Sequence, residues 1–250
     1  MNRRLVAAIA CRNQGSRLYG KPVQNLDVDE GIRIIDHIVD CLNTINCIDE
    51  IVLGISEGVE NEIFVEIASE KKLQYVIGDQ IDVLSRLIKC GQLAGATDIF
   101  RVTSESPFLY FEPVQELWER HCEEGADATF LDQSIDGCGF EFISLNALEA
   151  SHRQGQEKHR SELCTLYIRE NSERFNIITA EPPAELVRRD LRLTVDNPED
   201  LAVCRIVYSV FKDRAPRIPV DEIVRFLDKN PGLIELIAPF TELGYSTMYR

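Results

Sequence analysis

The sequence predicts an α/β fold, a mainly parallel sheet covered by helices on both faces. Three observations carry that expectation. Short β-branched runs alternate with longer segments of helical periodicity over roughly the first half of the chain. The length of 250 residues suits one large domain, residues 1–250, with a small subregion at about 130–170. A composition 44% hydrophobic and 28% charged is ordinary for a soluble globular chain.

The elements follow in order. Leu5–Cys11 (LVAAIAC) reads as a buried first strand. Two arginines precede it, as in a signal peptide, but the apolar run is short, Arg12 ends it, and no small-residue cleavage site follows. Apolar residues recur at helical spacing over 32–44, and 50–55 (EIVLGI) reads as the second strand. Residues 60–71 form a helix, 73–77 a third strand and 82–93 a helix, with Asp82 near its start where a carboxylate suits the dipole. Asp98–Thr103 is the fourth strand, 113–123 a helix and Ala128–Leu131 a further strand. Beyond residue 130 the regularity weakens. A turn at 137–139 precedes a strand at 140–144, a short helix at 146–151, a polar exposed stretch at 154–160 and a helix at 162–170. Residues 191–195 (LRLTV) read as a strand, Asn197-Pro198 opens a helix over 199–211, and 220–229 follows Pro219 as another.

No stretch approaches the ~20 apolar residues of a membrane span, so a cytoplasmic protein without membrane contact is expected. The net charge of −15 argues against a general nucleic-acid surface. The eight cysteines include no C-x-x-C pair and are scattered through apolar or helical contexts, which predicts reduced, mostly buried thiols.

Against that acidic background the loop after the first strand, R-N-Q-G-S-R-L-Y-G-K-P, gathers Arg12, Arg17 and Lys21 between Gly15, Ser16 and Gly20. Glycines let backbone N–H groups approach phosphate, and guanidinium forks match phosphate oxygens. The pattern suggests a polyphosphate site, with a solvated basic turn as the plainer reading. It is not a Walker A sequence, because Pro22 stands where the hydroxyl residue belongs.

The same stretch resembles the R-x-G-S-x-R-L-P-G-K signature of the cytidylyltransferases that activate acidic sugars, such as the CMP-sialic acid and CMP-Kdo synthetases, and most of all their spore-coat polysaccharide biosynthesis branch. Further similarities follow in collinear order: Asp82-Val83-Leu84 with Arg86; Arg101–Pro107 (RVTSESP); Phe140-Glu141 with Ile143-Ser144; Thr165 with Tyr167-Ile168-Arg169; and Leu191–Leu201 (LRLTVDNPEDL). Together they span about residues 4–235. The resemblance implies a Rossmann-like, GT-A-like nucleotide-diphospho-sugar transferase architecture. It also implies CTP as nucleotide, Mg2+ as cofactor and a small anionic acceptor. On this reading Arg12, Arg17 and Lys21 act on the triphosphate. Cys11, Gly15, Ser16, Asp82 and Thr103 complete the nucleotide site, Glu105 and Asp196 hold the metal, and Glu141 and Arg169 meet the acceptor. Plainer roles stand beside these: helix caps for Asp82 and Asp196, and a solvent-facing strand position for Glu141.

The sequence departs from that pattern at several places. Gln14 stands where glycine is usual, Tyr19 replaces a proline, and Ser104-Glu105 replaces Gly-Asp. Gly139 and Leu163 replace an aspartate and a histidine on the acceptor side. The departures leave open a non-catalytic relative that binds a nucleotide or a partner enzyme. Finally, a homodimer is expected, with a twofold contact between about residues 130 and 170. That region carries Phe130, Phe140, Phe142 and Ile143, and Arg160 or Arg169 would reach the acceptor or the partner.

Overall fold

Leu5–Cys11 is apolar at every position because both of its faces are covered, and it forms the interior strand β1 of the computed structural model, which describes residues 3–15 and 17–247. The other strands are β2 (Asn25–Asp27), β3 (Ile32–Arg33), β4 (Glu50–Ser56), β5 (Gln74–Gly78), β6 (Asp98–Thr103), β7 (Ala128–Leu131), β8 (Glu141–Ser144) and β9 (Ile177–Ala180). The helices are α1 (Ile34–Leu42), α2 (Glu62–Lys71), α3 (Val83–Ala94), α4 (Val114–Glu123), α5 (Leu145–Gln154), α6 (Leu166–Glu170), α7 (Pro198–Phe211), α8 (Val220–Asp228) and α9 (Pro231–Thr247).

Seven strands form one sheet in the order β5-β4-β1-β6-β8-β7-β9, and β2 pairs with β3 in a separate hairpin. β1 runs parallel to β4 and to β6, β4 parallel to β5, and β7 parallel to β9; β8 alone is antiparallel to its neighbours β6 and β7. Strand alternation splits the core in two. Leu5, Ala7, Ile9 and Cys11 face a layer that includes α1, α2, α4, α7 and α8, whereas Val6 and Ala8 face α3, α5 and α6. Each fully buried Leu or Ile in these layers is worth about 1.5–3 kcal/mol.

Local chemistry accounts for the helix ends that matter to the site. Asp82 caps α3 by accepting from Ser85 N, and Ser144 caps α5 by accepting from Ala147 N. Asn197 and Asp200 form the box that starts α7, with Pro198 in its first turn.

Several expectations need correction. Residues 191–195 are extended but not a strand: their one bridge is Asp136 to Arg192. The segment instead crosses the ends of other strands, where Leu193 N donates to Asp136 O (2.7 Å) and Val195 N to Glu105 O (3.0 Å). The stretch 154–160 is not uniformly exposed. It contains a 3-10 turn, Glu157–Arg160, in which His159 is buried against Tyr167 and bonded to Glu170. The helix expected over 162–170 begins only at Leu166. Phe130, Phe140, Phe142 and Ile143 lie inside the core, which removes them as contact residues for a second subunit. Strand β9 and helix α9 were not expected; Pro231, Gly232, Pro239 and Gly244 mask the periodicity of α9.

All eight cysteines are free, with six buried and Cys47 and Cys122 partly exposed. Among the described residues no helix is long and apolar enough to cross a membrane.

Candidate active site

A cavity of about 1270 Å³ opens at the carboxyl ends of β1, β6 and β7. Ligands bind at this edge of open α/β sheets. The volume exceeds the ~300–1,000 Å³ of a typical single-ligand pocket, so two reactants fit together. Nine of the residues expected in the site line it: Arg12, Gly15, Arg17, Lys21, Thr103, Glu105, Glu141, Arg169 and Asp196.

The basic loop is held in a defined shape. Gly20 adopts φ 63°, and its N–H closes the loop on Asn13 O at 2.9 Å. A Cβ on Gly15 would lie 2.3 Å from Leu18 O, so the glycine belongs where it stands, one position later than in the resembled signature. Gln14, in the place of the usual glycine, instead bonds to Glu60. Ser16 lies outside the described residues.

Each loop cation already faces a carboxylate. Arg12 pairs with Glu162, Arg17 with Asp196 at 3.1 Å, and Lys21 with Asp196 at 2.6 Å. Asp196 also accepts from Arg192 at 2.8 Å. Burial would raise the Asp196 carboxyl, but Lys21, Arg17 and Arg192 more than offset it and hold the group below its ordinary value. The capping role considered for Asp196 falls to Asn197 and Asp200, which leaves the Asp196 carboxylate facing the cavity.

Glu105 sits beside Asp196 on the cavity floor, joined through the Val195 N–Glu105 O bond. Burial raises its pKa; Lys21 pulls it down and Asp196 pushes it further up. Glu105 and Asp196 are the two carboxylates that would hold a hard cation such as Mg2+. Among the described residues no group of three or more His, Cys, Asp or Glu is arranged to hold a metal. Thr103, Ser106 and Thr194 link their hydroxyls along the same floor.

The expected acceptor residues are committed to each other. Glu141 is buried and takes Arg101 at 2.8 Å, Arg169 at 3.1 Å and the Thr165 hydroxyl at 2.8 Å. Burial would raise Glu141, but these partners hold it below the usual carboxylate range. It is thus not a solvent-facing strand position. Arg169 also pairs with Asp132 at 3.0 Å and lies 3.7 Å over the Phe130 ring. Arg160 donates to His152 O. Two nucleotide residues are placed differently from expectation. The Cys11 thiol is buried in the core and its carbonyl accepts from Arg86, and the Asp82 carboxylate is taken by the α3 cap and by His152 at 2.8 Å.

Two buried arginines were overlooked as site residues. Arg86 is 1% exposed and lines the cavity, yet among the described residues its side chain forms no ion pair with a carboxylate. Its Nη1 donates to Cys11 O (3.1 Å) and Gly54 O (2.8 Å), while its Nε has no partner. A Cβ on Gly78 would lie 2.9 Å from its Cγ, so that glycine makes room for its stem. The signal was an arginine within the apolar stripe of α3. Arg192 is 1% exposed and contacts Asp136 (3.8 Å), Asp196 (2.8 Å) and Asp200 (3.2 Å). It also donates to Phe240 O of α9. Its signal was an arginine beside two aspartates in RLTVDNPED, and only the fold adds Asp136.

The sequence model described as "Cytidylyltransferase" matches residues 6–212. The spore coat polysaccharide biosynthesis protein SpsF of Bacillus subtilis is 26% identical over 226 residues, covering 89% of this chain and 93% of its own. A cytidylyltransferase from Leptospira borgpetersenii superposes with a TM-score of 0.83 at 19% identity, covering 93% of this chain and 97% of its own. A CMP:2-keto-3-deoxy-manno-octonic acid synthetase complexed with CTP superposes at 0.61 and 13% identity, covering 83% of this chain and 99% of its own. The last two likenesses establish the fold.

Proposed function

As the chain belongs to the cytidylyltransferase family, we propose that it transfers CMP from CTP to an acidic sugar or a related small anionic acceptor, releasing pyrophosphate, in polysaccharide or glycan biosynthesis. The observation that carries this reading is the convergence of Arg12, Arg17 and Lys21 with Glu105 and Asp196 on one cavity large enough for both reactants. The CTP complex of a structural neighbour and the polysaccharide role of SpsF support it by analogy.

The ion pairs suggest how the loop works. A triphosphate competes for Arg12, Arg17 and Lys21, drawing them from Glu162 and Asp196. Asp196 is then released and stands beside Glu105, and these two residues would hold Mg2+. When bound, the ion neutralises charge developing on the phosphates. An acceptor oxygen attacks the α-phosphorus, the α–β phosphoanhydride bond breaks, and pyrophosphate departs while the loop cations offset its charge. Asp136 is suited to take the acceptor's proton. Burial, against the pull of Arg192, brings its pKa to about 6.

The test is a thermal-shift screen with CTP, UTP, GTP and ATP, with and without Mg2+, followed by pyrophosphate release with acidic-sugar acceptors. CTP at 100 times its Kd should stabilise by about 2.7 kcal/mol in a Mg2+-dependent way. Lys21→Ala and Arg17→Ala should lower turnover at least about a hundredfold while changing stability by no more than about 1 kcal/mol. A nucleotide shift indifferent to Mg2+, with no pyrophosphate released, would instead describe a binding protein.

A further inference from the structure

Part of the cavity wall comes from a stretch of the chain that the family match does not reach. Helix α9 lies beyond residue 212, yet Ala238, Thr241, Glu242 and Tyr245 line the cavity. Arg189 and Asp190, in the connection before β-bridge residue Arg192, line it as well.

This wall is anchored. The Tyr245 hydroxyl accepts from Asp136 N at 3.2 Å and lies 3.1 Å from Arg188 O and 3.3 Å from Leu191 O, gripping the backbone on both sides of Arg189. Gly244 lets α9 approach closely: a Cβ there would lie 2.8 Å from Asp136 Oδ2. Arg192 ties Phe240 O of α9 to the Asp196 carboxylate, so the wall and the triphosphate end share one rigid strut.

The charges on the wall are unequal in their commitments. Arg188 is spent on Asp190 and Asp228, and Arg169 on Asp132 and Glu141. The Arg189 guanidinium forms no ion pair or side-chain hydrogen bond among the described residues, and neither does the Glu242 carboxylate. Both side chains are exposed to the cavity. Burial pushes the neighbouring Tyr245 hydroxyl up to about 12, and Arg189 is among the groups that pull it back.

We infer that Arg189 and Glu242 form the acceptor-selecting subsite, Arg189 binding the anionic group of a polyhydroxylated acid and Glu242 accepting from one of its hydroxyls. The inference rests on the proposed CMP transfer and deepens it by naming the groups that choose the acceptor. A guanidinium discriminates an acid from a neutral sugar through charge-assisted hydrogen bonds, and a carboxylate lining the same cavity selects hydroxylated over plain acids. The residues resembling the family's acceptor motif, Glu141 and Arg169, line the same cavity but are engaged with Arg101, Thr165 and Asp132.

The experiment uses the full chain with a non-hydrolysable CTP analogue and Mg2+. Binding of 2-keto-3-deoxy-manno-octonic acid, N-acetylneuraminic acid, glucose 1-phosphate and neutral glucose is measured by calorimetry, for wild type, Arg189→Ala, Arg189→Lys and Glu242→Gln. At least one anionic sugar should bind the wild type, and glucose should not. Carboxylate and phosphate sugars separate the two sources of anionic charge. Arg189→Ala should weaken that acid about tenfold or more, Arg189→Lys should recover part of the loss, and both should keep the wild-type thermal shift with CTP. A wild-type protein that responds to CTP but binds none of the acids overturns the inference. So does an Arg189→Ala variant that binds acid unchanged. A wild-type protein without any CTP response fails the underlying transfer reading instead.

Discussion

Arg192 shows how much one buried side chain can organise. Its guanidinium balances Asp136, Asp196 and Asp200 and holds α9 through Phe240 O. Removing one partner from a buried ion network leaves uncompensated charge and costs about 3–5 kcal/mol. Arg192→Met should therefore lose about that much in urea denaturation; a loss below about 1 kcal/mol would show that the network contributes little. His37 provides a test in acid. It is 2% exposed between the edges of Phe108 and Tyr208, and burial lowers its pKa from 6.5 to about 4. Between those values the unfolded chain binds the proton and the folded chain does not. Stability then falls as pH drops through that window, by roughly 3 kcal/mol in all. In His37→Leu the acid limb between pH 6.5 and 4 should flatten by that amount; parallel wild-type and variant curves would contradict it.

At the level of elements, the site depends on one crossing that has no ladder to hold it. The turn after β7 meets the extended segment 191–195 where Gly137 adopts φ 93°. A Cβ on Gly137 would lie 2.5 Å from Thr194 N, and that contact is backbone that cannot step aside. Gly137→Ala combines a left-handed backbone with this clash and is expected to cost about 2–4 kcal/mol, measured by chemical denaturation. Because Asp136 and Asp196 flank the same crossing, the variant should also weaken the thermal shift expected with CTP on the proposed function. An unchanged melt would mean that the turn relaxes without cost. Gly139 differs: a Cβ there would lie 2.5 Å from Ser134 Oγ, a side-chain atom, so the aspartate of the resembled motif would require Ser134 to shift.

Over the whole molecule, the apolar layers on both faces of the sheet enclose most of the thiols. Cys11, Cys41, Cys90, Cys138, Cys164 and Cys204 are buried, and burial raises the pKa of each. A thiol titration of the native protein should find fast reaction at no more than Cys47 and Cys122, and at all eight after unfolding. Rapid native reaction of more than two thiols would contradict the packing described. Reductant should leave the melting temperature unchanged, since no disulfide is present.

What the sequence determined by itself is what local pattern encodes. The apolar runs of β1, β4 and β6, the periodic helices between them, and the glycines and cations of the Arg12–Lys21 loop were legible because each is a short-range property of neighbouring residues. The collinear motifs carried the family and brought Glu105 and Asp196 to notice. Tertiary structure decided the rest. LRLTV alternates like a strand, but its backbone donors go to Asp136 O and Glu105 O rather than to a ladder, a choice set by residues far away in the chain. Arg169 matched a motif, yet whether its charge is spent depends on Asp132, Glu141 and Phe130 arriving around it. Helix α9 reads weakly because of its prolines and glycines, and it is stabilised by bonds to Asp136, Arg188, Leu191 and Arg192 that no local window contains. Which charges remain available to a ligand is settled by long-range pairing, because an ion pair needs proximity in space and is indifferent to separation along the chain.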